Sequence, residues 1–332
     1  MNQYRPWGLV RWALALAPAR RWALLGALGT EQRSLAAFVE LHTAGCLDGT
    51  RLLEIHDPLP RFAQLAAERL AVRRSEFLAA GGATSDILPN CGLLDELHKI
   101  TAIANTTVQR SESVILDISS LPKRYYFPVL RELHANPAIK NLLITYASPG
   151  SYPAHGELSE GADDWLHLPG FAGPGSGREL LIAGVGFASE NLQKHVGSIH
   201  DHEAIRILIP FPAPIGSLRR SWDAVYRLEG QRDRDKFANY RVDAYDMSAA
   251  FDRIVSLATN SAAHPAFAPF GPKPLSAAMC LYAAQRGAAV YYPQPKAYNP
   301  DYSIGVGEID GQKAIHAYWI KHEGVSYYQL PS

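Results

Sequence analysis

The chain has 332 residues, 47% hydrophobic and 19% charged, a balance that suits a globular protein with enough material for two cores. Its 32 Lys and Arg match its 32 Asp and Glu, so it lacks the basic footprint of a duplex nucleic acid binder or of a protein held on an anionic membrane. Cys46, Cys91 and Cys280 are too few and too far apart for a disulfide framework or a structural zinc site, and they suit a reducing compartment, the cytoplasm.

Residues 1 to 21 read as an amphipathic lead-in whose apolar run is broken by Arg11, unlike a signal peptide. No stretch reaches the roughly 18 to 20 apolar residues of a membrane span. Trp22 to Leu28 then reads as a buried strand, Gly29 to Ser34 as a polar turn and Leu35 to Ala44 as a helix, the first unit of a doubly wound fold. A strand over Arg51 to Ile55 leads through Asp57-Pro58 to a helix from Pro60 to Ala80, which Gly81-Gly82 ends. A helix over 93 to 108, a strand over Ser113 to Ile118, a helix over Lys123 to His134 and a strand over Asn141 to Tyr146 complete a Rossmann-like repeat spanning 22 to 152.

The Pro- and Gly-rich stretch 153 to 178 reads as a linker. A second repeat follows over 179 to 305. Its strands are expected at Leu180 to Val185, Ile205 to Ile209, Ala266 to Phe270 and Ala288 to Tyr292. Helices are expected at 189 to 198, Ser217 to Leu228, Met247 to Ala258 and Leu275 to Arg286, with a charged loop before the third. Asp310-Gly311 is a hairpin signal, so 306 to 332 reads as a small C-terminal antiparallel β meander. The expected fold is α/β, with two doubly wound, mostly parallel sheets.

An internal duplication is read from order and punctuation. Tyr146, Pro149 and Tyr152 fall on Tyr292, Pro295 and Tyr298 at an offset of 146 (292 − 146). Pro122 falls on Pro274 at 152 (274 − 122), Leu53 on Ile207 at 154 (207 − 53), and Gly29 on Gly186 at 157 (186 − 29). Slowly changing offsets are what a few loop deletions produce.

Ligands of open α/β sheets bind beyond the carboxyl ends of the strands. In the first repeat this selects Gly29, Glu31, Arg33, Asp57, Asp117, Ser119 and Ser120, with Lys123 and Tyr146 to Ser148. In the second it selects Gly186 to Glu190, Ser217, Arg219, Arg220, Gly271, Lys273 and Gln294 to Lys296. Gly271 lets backbone approach a ligand, and Lys273 beside a helix start supplies charge for a phosphate; the plainer reading is a solvated Lys in a Pro-rich turn. Ser217 would cap a helix with Arg219 and Arg220 in its first turn, where cations are disfavoured without an anion; an exposed charged face is the alternative.

Asp117 with Ser119 and Ser120 could hold a ribose or a metal, or cap the next helix, and Glu31 and Arg33 could pair with one another. His200-Asp201-His202-Glu203 is metal-like in composition, but the winding puts it at the opposite sheet edge, so no metal is expected. Neither a P-loop, nor a nucleophile elbow, nor a full Gly-x-Gly-x-x-Gly turn occurs where it would be needed, and no cofactor is expected.

Two such repeats in one chain, each with a polar turn after its first strand, the second with Gly271-Pro272-Lys273 before its penultimate helix, resemble tandem CARF-type domains, the plan of SAVED proteins. The resemblance covers about residues 22 to 305 and is one of layout, with Gly271 and Lys273 the positions that match; Pro272 stands where the family often has Thr. It implies sensing of cyclic oligonucleotides in bacterial antiviral defence. Partners would be a nucleotide-type small molecule and an effector protein or a second copy, with no duplex nucleic acid and no membrane. Three readings stay open: a cytoplasmic nucleotide sensor with its ligand between the repeats, an enzyme on a phosphorylated or nucleotide substrate using Asp117 or Glu31, and a protein-binding scaffold.

Overall fold

The computed structural model describes residues 5–17, 20–108, 111–153, 158–160, 165–174, 179–187, 192, 196, 204–230 and 236–330. The chain divides into two compact units. The first joins Gln3–Ala162 to Pro295–Tyr327, and the second is built on Asp163–Gln294 with Tyr328–Ser332.

In chain order the first unit contains β1 (Trp7–Leu9), α1 (Val10–Ala15), β2 (Trp22–Ala27), α2 (Ala36–Thr43), β3 (Leu47–His56), α3 (Ala63–Ala79), β4 (Ile87–Gly92), α4 (Leu97–Val108), β5 (Ser113–Asp117), α5 (Lys123–Ala135), β6 (Asn141–Ala147) and β7 (Ser159–Glu160). The second contains β8 (Glu179–Gly184), β9 (Ala204–Phe211), α6 (Ile215–Glu229), β10 (Phe237–Asp243), α7 (Met247–Thr259), β11 (His264–Pro269), α8 (Lys273–Arg286) and β12 (Ala289–Val290). The chain then returns to the first unit as β13 (Ala297–Tyr298), β14 (Glu308–Ile309), β15 (Gln312–Lys313), β16 (Ile315–His322) and β17 (Val325–Ser326).

The first sheet runs β1-β16-β6-β5-β2-β3-β4, with β2 to β6 parallel to one another and β16 antiparallel to both β1 and β6. The second runs β10-β9-β8-β11-β12 and is parallel throughout. Counted from β2 and from β8, both parallel runs have the order 3-2-1-4-5 of a Rossmann-like doubly wound sheet. The α/β class with mostly parallel sheets is therefore as the sequence predicts. Strand order alone does not establish common descent, so the duplication rests on the sequence offsets.

Continuous apolar runs make the central strands. Every side chain of β2, β5 and β6 is buried, as parallel strands covered on both faces require. One face of the first sheet packs Leu24, Leu52, Ile115 and Leu143 against Val10 and Ala13 of α1, Phe38 and Leu41 of α2, and Phe77 of α3. α5 buries a separate set, Tyr125 to Leu130 and Leu133, and packs on α4.

Several expectations change. β4 and β10 are third strands that the sequence analysis assigned to a helix connection and to a charged loop. Asp310-Gly311 does turn the β14–β15 hairpin, both residues at positive φ (51° and 73°). The tail nevertheless does not form a meander of its own. β16 is inserted between β1 and β6, because Ile315, Ala317 and Trp319 belong to the first sheet's core. Residues after Gln294 likewise belong to the first unit and not to the second repeat.

Candidate functional site

Each sheet changes winding direction between its first and fourth parallel strands, and at each of these two points a glycine two residues past the first strand touches the loop after the fourth. A Cβ on Gly29 would lie 2.9 Å from both Cβ and Oγ of Ser120, and one on Gly186 would lie 2.6 Å from the carbonyl oxygen of Phe270. Both glycines thus let two loops close over the switch point. Gly271 is held as tightly, with a Cβ there 3.0 Å from Leu275 and 3.3 Å from the Val185 carbonyl.

The helix after the fourth strand opens identically in the two units. Pro122 caps α5 and Lys123 is its first residue; Pro272 caps α8 and Lys273 is its first residue. Helix starts therefore match Pro122 with Pro272 at an offset of 150 (272 − 122), not with Pro274, since the second unit's connection is two residues shorter. A helix start carries partial positive charge, so a cation there costs roughly 0.3–1 kcal/mol unless an anion joins it.

In the first unit the ends of β2, β5 and β6 are tied by buried polar groups. Asp117 accepts from Ser119 Oγ (2.6 Å) and Thr145 Oγ1 (3.0 Å), and Ser119 Oγ in turn accepts from the Ala147 N–H (2.8 Å). Ser120 Oγ reaches the Ala27 carbonyl at 3.4 Å. Arg33, buried in the turn after β2, donates to Glu31 (Nε to Oε2, 3.0 Å; Nη2 to Oε1, 3.3 Å), to Ser303 Oγ (3.1 Å) and to the Ala147 carbonyl (3.2 Å). Ser303 also donates to Glu31. The Arg33 guanidinium lies 5.6 Å from the centre of the Tyr146 ring.

Burial works against the Arg33 charge, but Glu31, Tyr146 and Tyr152 outweigh it and raise its pKa. Burial pushes the Tyr152 hydroxyl well above its ordinary range. Lys123, half-buried, is pushed down to about 8 by burial and by the neighbouring Arg33 charge. The arrangement sets two cations, Arg33 and Lys123, near two carboxylates. Its two carboxylates are engaged with the fold: Asp117 knits β5 to β6, and Glu31 neutralises Arg33. Removing one partner of such a buried pair costs about 3–5 kcal/mol, which marks Glu31 and Arg33 as structural as well as candidate binding groups.

The second unit brings Gly186, Arg220 and Gly271 around one loop. Arg220 Nη1 donates to the Phe187 carbonyl (3.4 Å), next to the glycine that touches Phe270. Arg219 and Arg220 are exposed in the second turn of α6. Ser217 is buried in the first turn and is not the cap, because the helix starts at Ile215 behind Pro214. Behind the loop, Trp165 stacks between Tyr291 (5.5 Å between centroids, 7°) and Phe270 (6.0 Å, 20°). Glu190 and the His200-Asp201-His202-Glu203 cluster lie outside the described residues.

Ser303 was not among the sequence candidates. It lies 270 residues from Arg33 along the chain, and no local spacing signals the contact. The Lys123 and Lys273 pairing had a signal, the repeated Pro-Lys dipeptide.

No protein-family model matches the chain, and no curated protein matches it. Among solved structures, a functionally unknown protein from Pseudomonas aeruginosa PAO1 is 13% identical over 85% of this chain and 95% of its own, with a TM-score of 0.23. A ketoreductase from the first module of phoslactomycin biosynthesis in Streptomyces sp. HK803 is 13% identical over 80% of this chain and 56% of its own, at 0.23. A C2-type ketoreductase from a modular polyketide synthase is 13% identical, covering 86% and 70%, at 0.21. Likeness this slight assigns no family. Among the described residues no helix is long and apolar enough to cross a membrane.

Proposed function

We propose that the protein binds a phosphate-bearing, nucleotide-type ligand at the carboxyl edges of its sheets and acts as a sensor. The observation that carries this reading is the placement of Lys123 and Lys273, each the first residue of the helix after the fourth parallel strand. A lysine set twice at a helix start adds its charge to the partial positive charge of the backbone there, a combination that favours an anionic ligand. Arg33 beside Lys123, and Arg220 of α6, which donates to the Phe187 carbonyl, add cations to the two edges. Sensing is favoured over turnover because Asp117 and Glu31, the candidate acids, are engaged with neighbouring side chains.

The resemblance to tandem CARF-type proteins makes cyclic oligonucleotides the first ligands to try, and an effector protein or a second copy the partner that reads the bound state. Thermal-shift and calorimetric titrations with ATP, cyclic dinucleotides and cyclic oligoadenylates test the reading. A ligand-induced shift that falls in both Lys123→Gln and Lys273→Gln, and disappears in the double variant, is expected. In Lys273→Gln, which isolates the first unit, affinity should fall as pH rises past about 8, where Lys123 loses its proton. Undiminished binding by the double variant would overturn the proposal, and so would the absence of any shift, which would favour the scaffold. Conversion of the bound nucleotide to product would make the protein an enzyme.

A further inference from the structure

The carboxyl edge of the first sheet is crossed by the chain's own returning segment, Asn299 to Gly307. Its polar groups sit where a ligand's would. Ser303 Oγ bonds to both Glu31 and Arg33, the Gly305 N–H donates to Gln32 Oε1 (2.8 Å), and Asp301 pairs with Arg69 (3.0 Å). Ser151 and Ile304 exchange both backbone hydrogen bonds, at 3.0 and 2.9 Å. Tyr302 meets Tyr152 and Tyr298 edge-on, with centroids 6.3 and 6.5 Å apart.

These fastenings are mostly polar. Pro300 is buried and Val306 packs against the first sheet's core, so these two anchor the segment's ends; between them Ile304 is 52% exposed, and lifting residues 301 to 305 alone forfeits little aliphatic burial. The Arg69–Asp301 pair is also near half-exposed on both sides, the kind of surface contact that contributes little and that salt weakens. Two of its groups, the Ser303 oxygen facing Arg33 and the Asp301 carboxylate facing Arg69, are acceptors that phosphate oxygens can replace.

We infer that residues 301 to 305 are an internal pseudo-ligand: they occupy the first sheet's carboxyl edge at Arg33, and a polyphosphate ligand binds there only by displacing them. The inference rests on the proposed phosphate-binding role of that edge. It adds regulation, because the apparent affinity of the first unit is set by the fraction of molecules in which the segment is lifted.

The test locks and loosens the segment, using inorganic tripolyphosphate and ATP as probes in a Lys273→Gln background so that the first unit is read. Ser151 and Ile304 form a hydrogen-bonded antiparallel pair, whose usual Cα separation of about 5.5 Å suits a disulfide. Oxidised Ser151→Cys/Ile304→Cys should bind either probe at least tenfold more weakly than the same protein reduced. Asp301→Ala/Ser303→Ala should bind roughly tenfold more tightly than its parent, a change that follows if the lifted fraction rises tenfold.

Hydrogen exchange at the Ile304 and Gly305 amides, which are bonded in the closed segment, should quicken when probe is bound. Equal binding by the oxidised and reduced lock, with the loosened protein no tighter than its parent, would overturn the pseudo-ligand while leaving the phosphate-binding edge intact. Absence of binding in the parent, the reduced lock and the loosened protein alike would overturn both.

Discussion

The two units share a strand order, a glycine at the switch point and a Pro-Lys helix start, yet they fill their carboxyl edges with opposite chemistry. In the first, a polar segment returning from the far end of the chain lies over Glu31, Gln32 and Arg33. In the second, Trp165 stacks between Tyr291 and Phe270. An aromatic plug is stabilised by burial that a polar ligand cannot replace, whereas a hydroxyl-and-carboxylate segment is exchangeable. The scaffold sets where a crevice opens; the segment that covers it sets whether the crevice can be used.

The largest effect follows directly. Trp165→Ala should destabilise by roughly 3–5 kcal/mol, the range for large aromatic side chains lost from packed interiors. Ser303→Ala, which removes hydrogen bonds to charged partners from the first unit, should cost about 1.5–3 kcal/mol. Urea unfolding of both variants checks the order. An inverted order would mean that the polar segment, not the aromatic stack, is the rigid cover.

The two switch-point glycines give the next comparison. Gly186→Ala drives a methyl into the Phe270 carbonyl oxygen, part of a backbone with little room to move, and should cost near the upper end of about 1–3 kcal/mol for overpacking. Gly29→Ala meets the Ser120 side chain instead, so it should cost less, and Ser120→Gly should restore stability. Unfolding free energies of the three proteins measure this. Equal costs without rescue would show that the two loops are not packed alike.

Much of this architecture is legible in the sequence because parallel strands covered on both faces write themselves as apolar runs, as Leu142-Leu143-Ile144 and Leu180-Leu181-Ile182 do. Edge strands carry a weaker signal. β4 contains Pro89 and the positive-φ Asn90, and it reads as a loop; β10 alternates but follows a dense charged stretch. Topology hid the rest. Nothing near Ile315 to His322 announces that this strand lies between β1 and β6, since its partners are over 160 residues away. Ser303 meets Arg33 for the same reason, whereas the Glu31–Arg33 pair is two residues apart and could be weighed from the sequence.

The smallest expected effect concerns the strand beside the fifth parallel strand of each sheet. In the second unit, residues 166 to 171 run antiparallel along β12 through backbone bonds, such as Leu168 N to Val290 O (2.8 Å) and Tyr292 N to Leu166 O (3.0 Å). In the first unit, β16 and its hairpin partner are also anchored by titratable side chains: Lys321 donates to the Asn136 carbonyl (3.0 Å), and His134 Nε2 bonds Ser326 Oγ (2.8 Å). Burial, and then the Lys321 charge, push His134 down to about 4; Lys140 lies beside Lys321 and adds to the positive field. The folded state therefore favours neutral imidazole, while the unfolded chain takes up a proton near pH 6.5. Unfolded chains then bind more protons between about pH 6.5 and 4, so this contribution is complete above 6.5 and is lost as pH falls toward 4. His134→Gln keeps a hydrogen-bonding group but cannot titrate. The stability of the parent relative to His134→Gln should therefore decline from pH 7 to pH 4.5, and a difference independent of pH would show that the first unit's edge strand is held no differently from the second's.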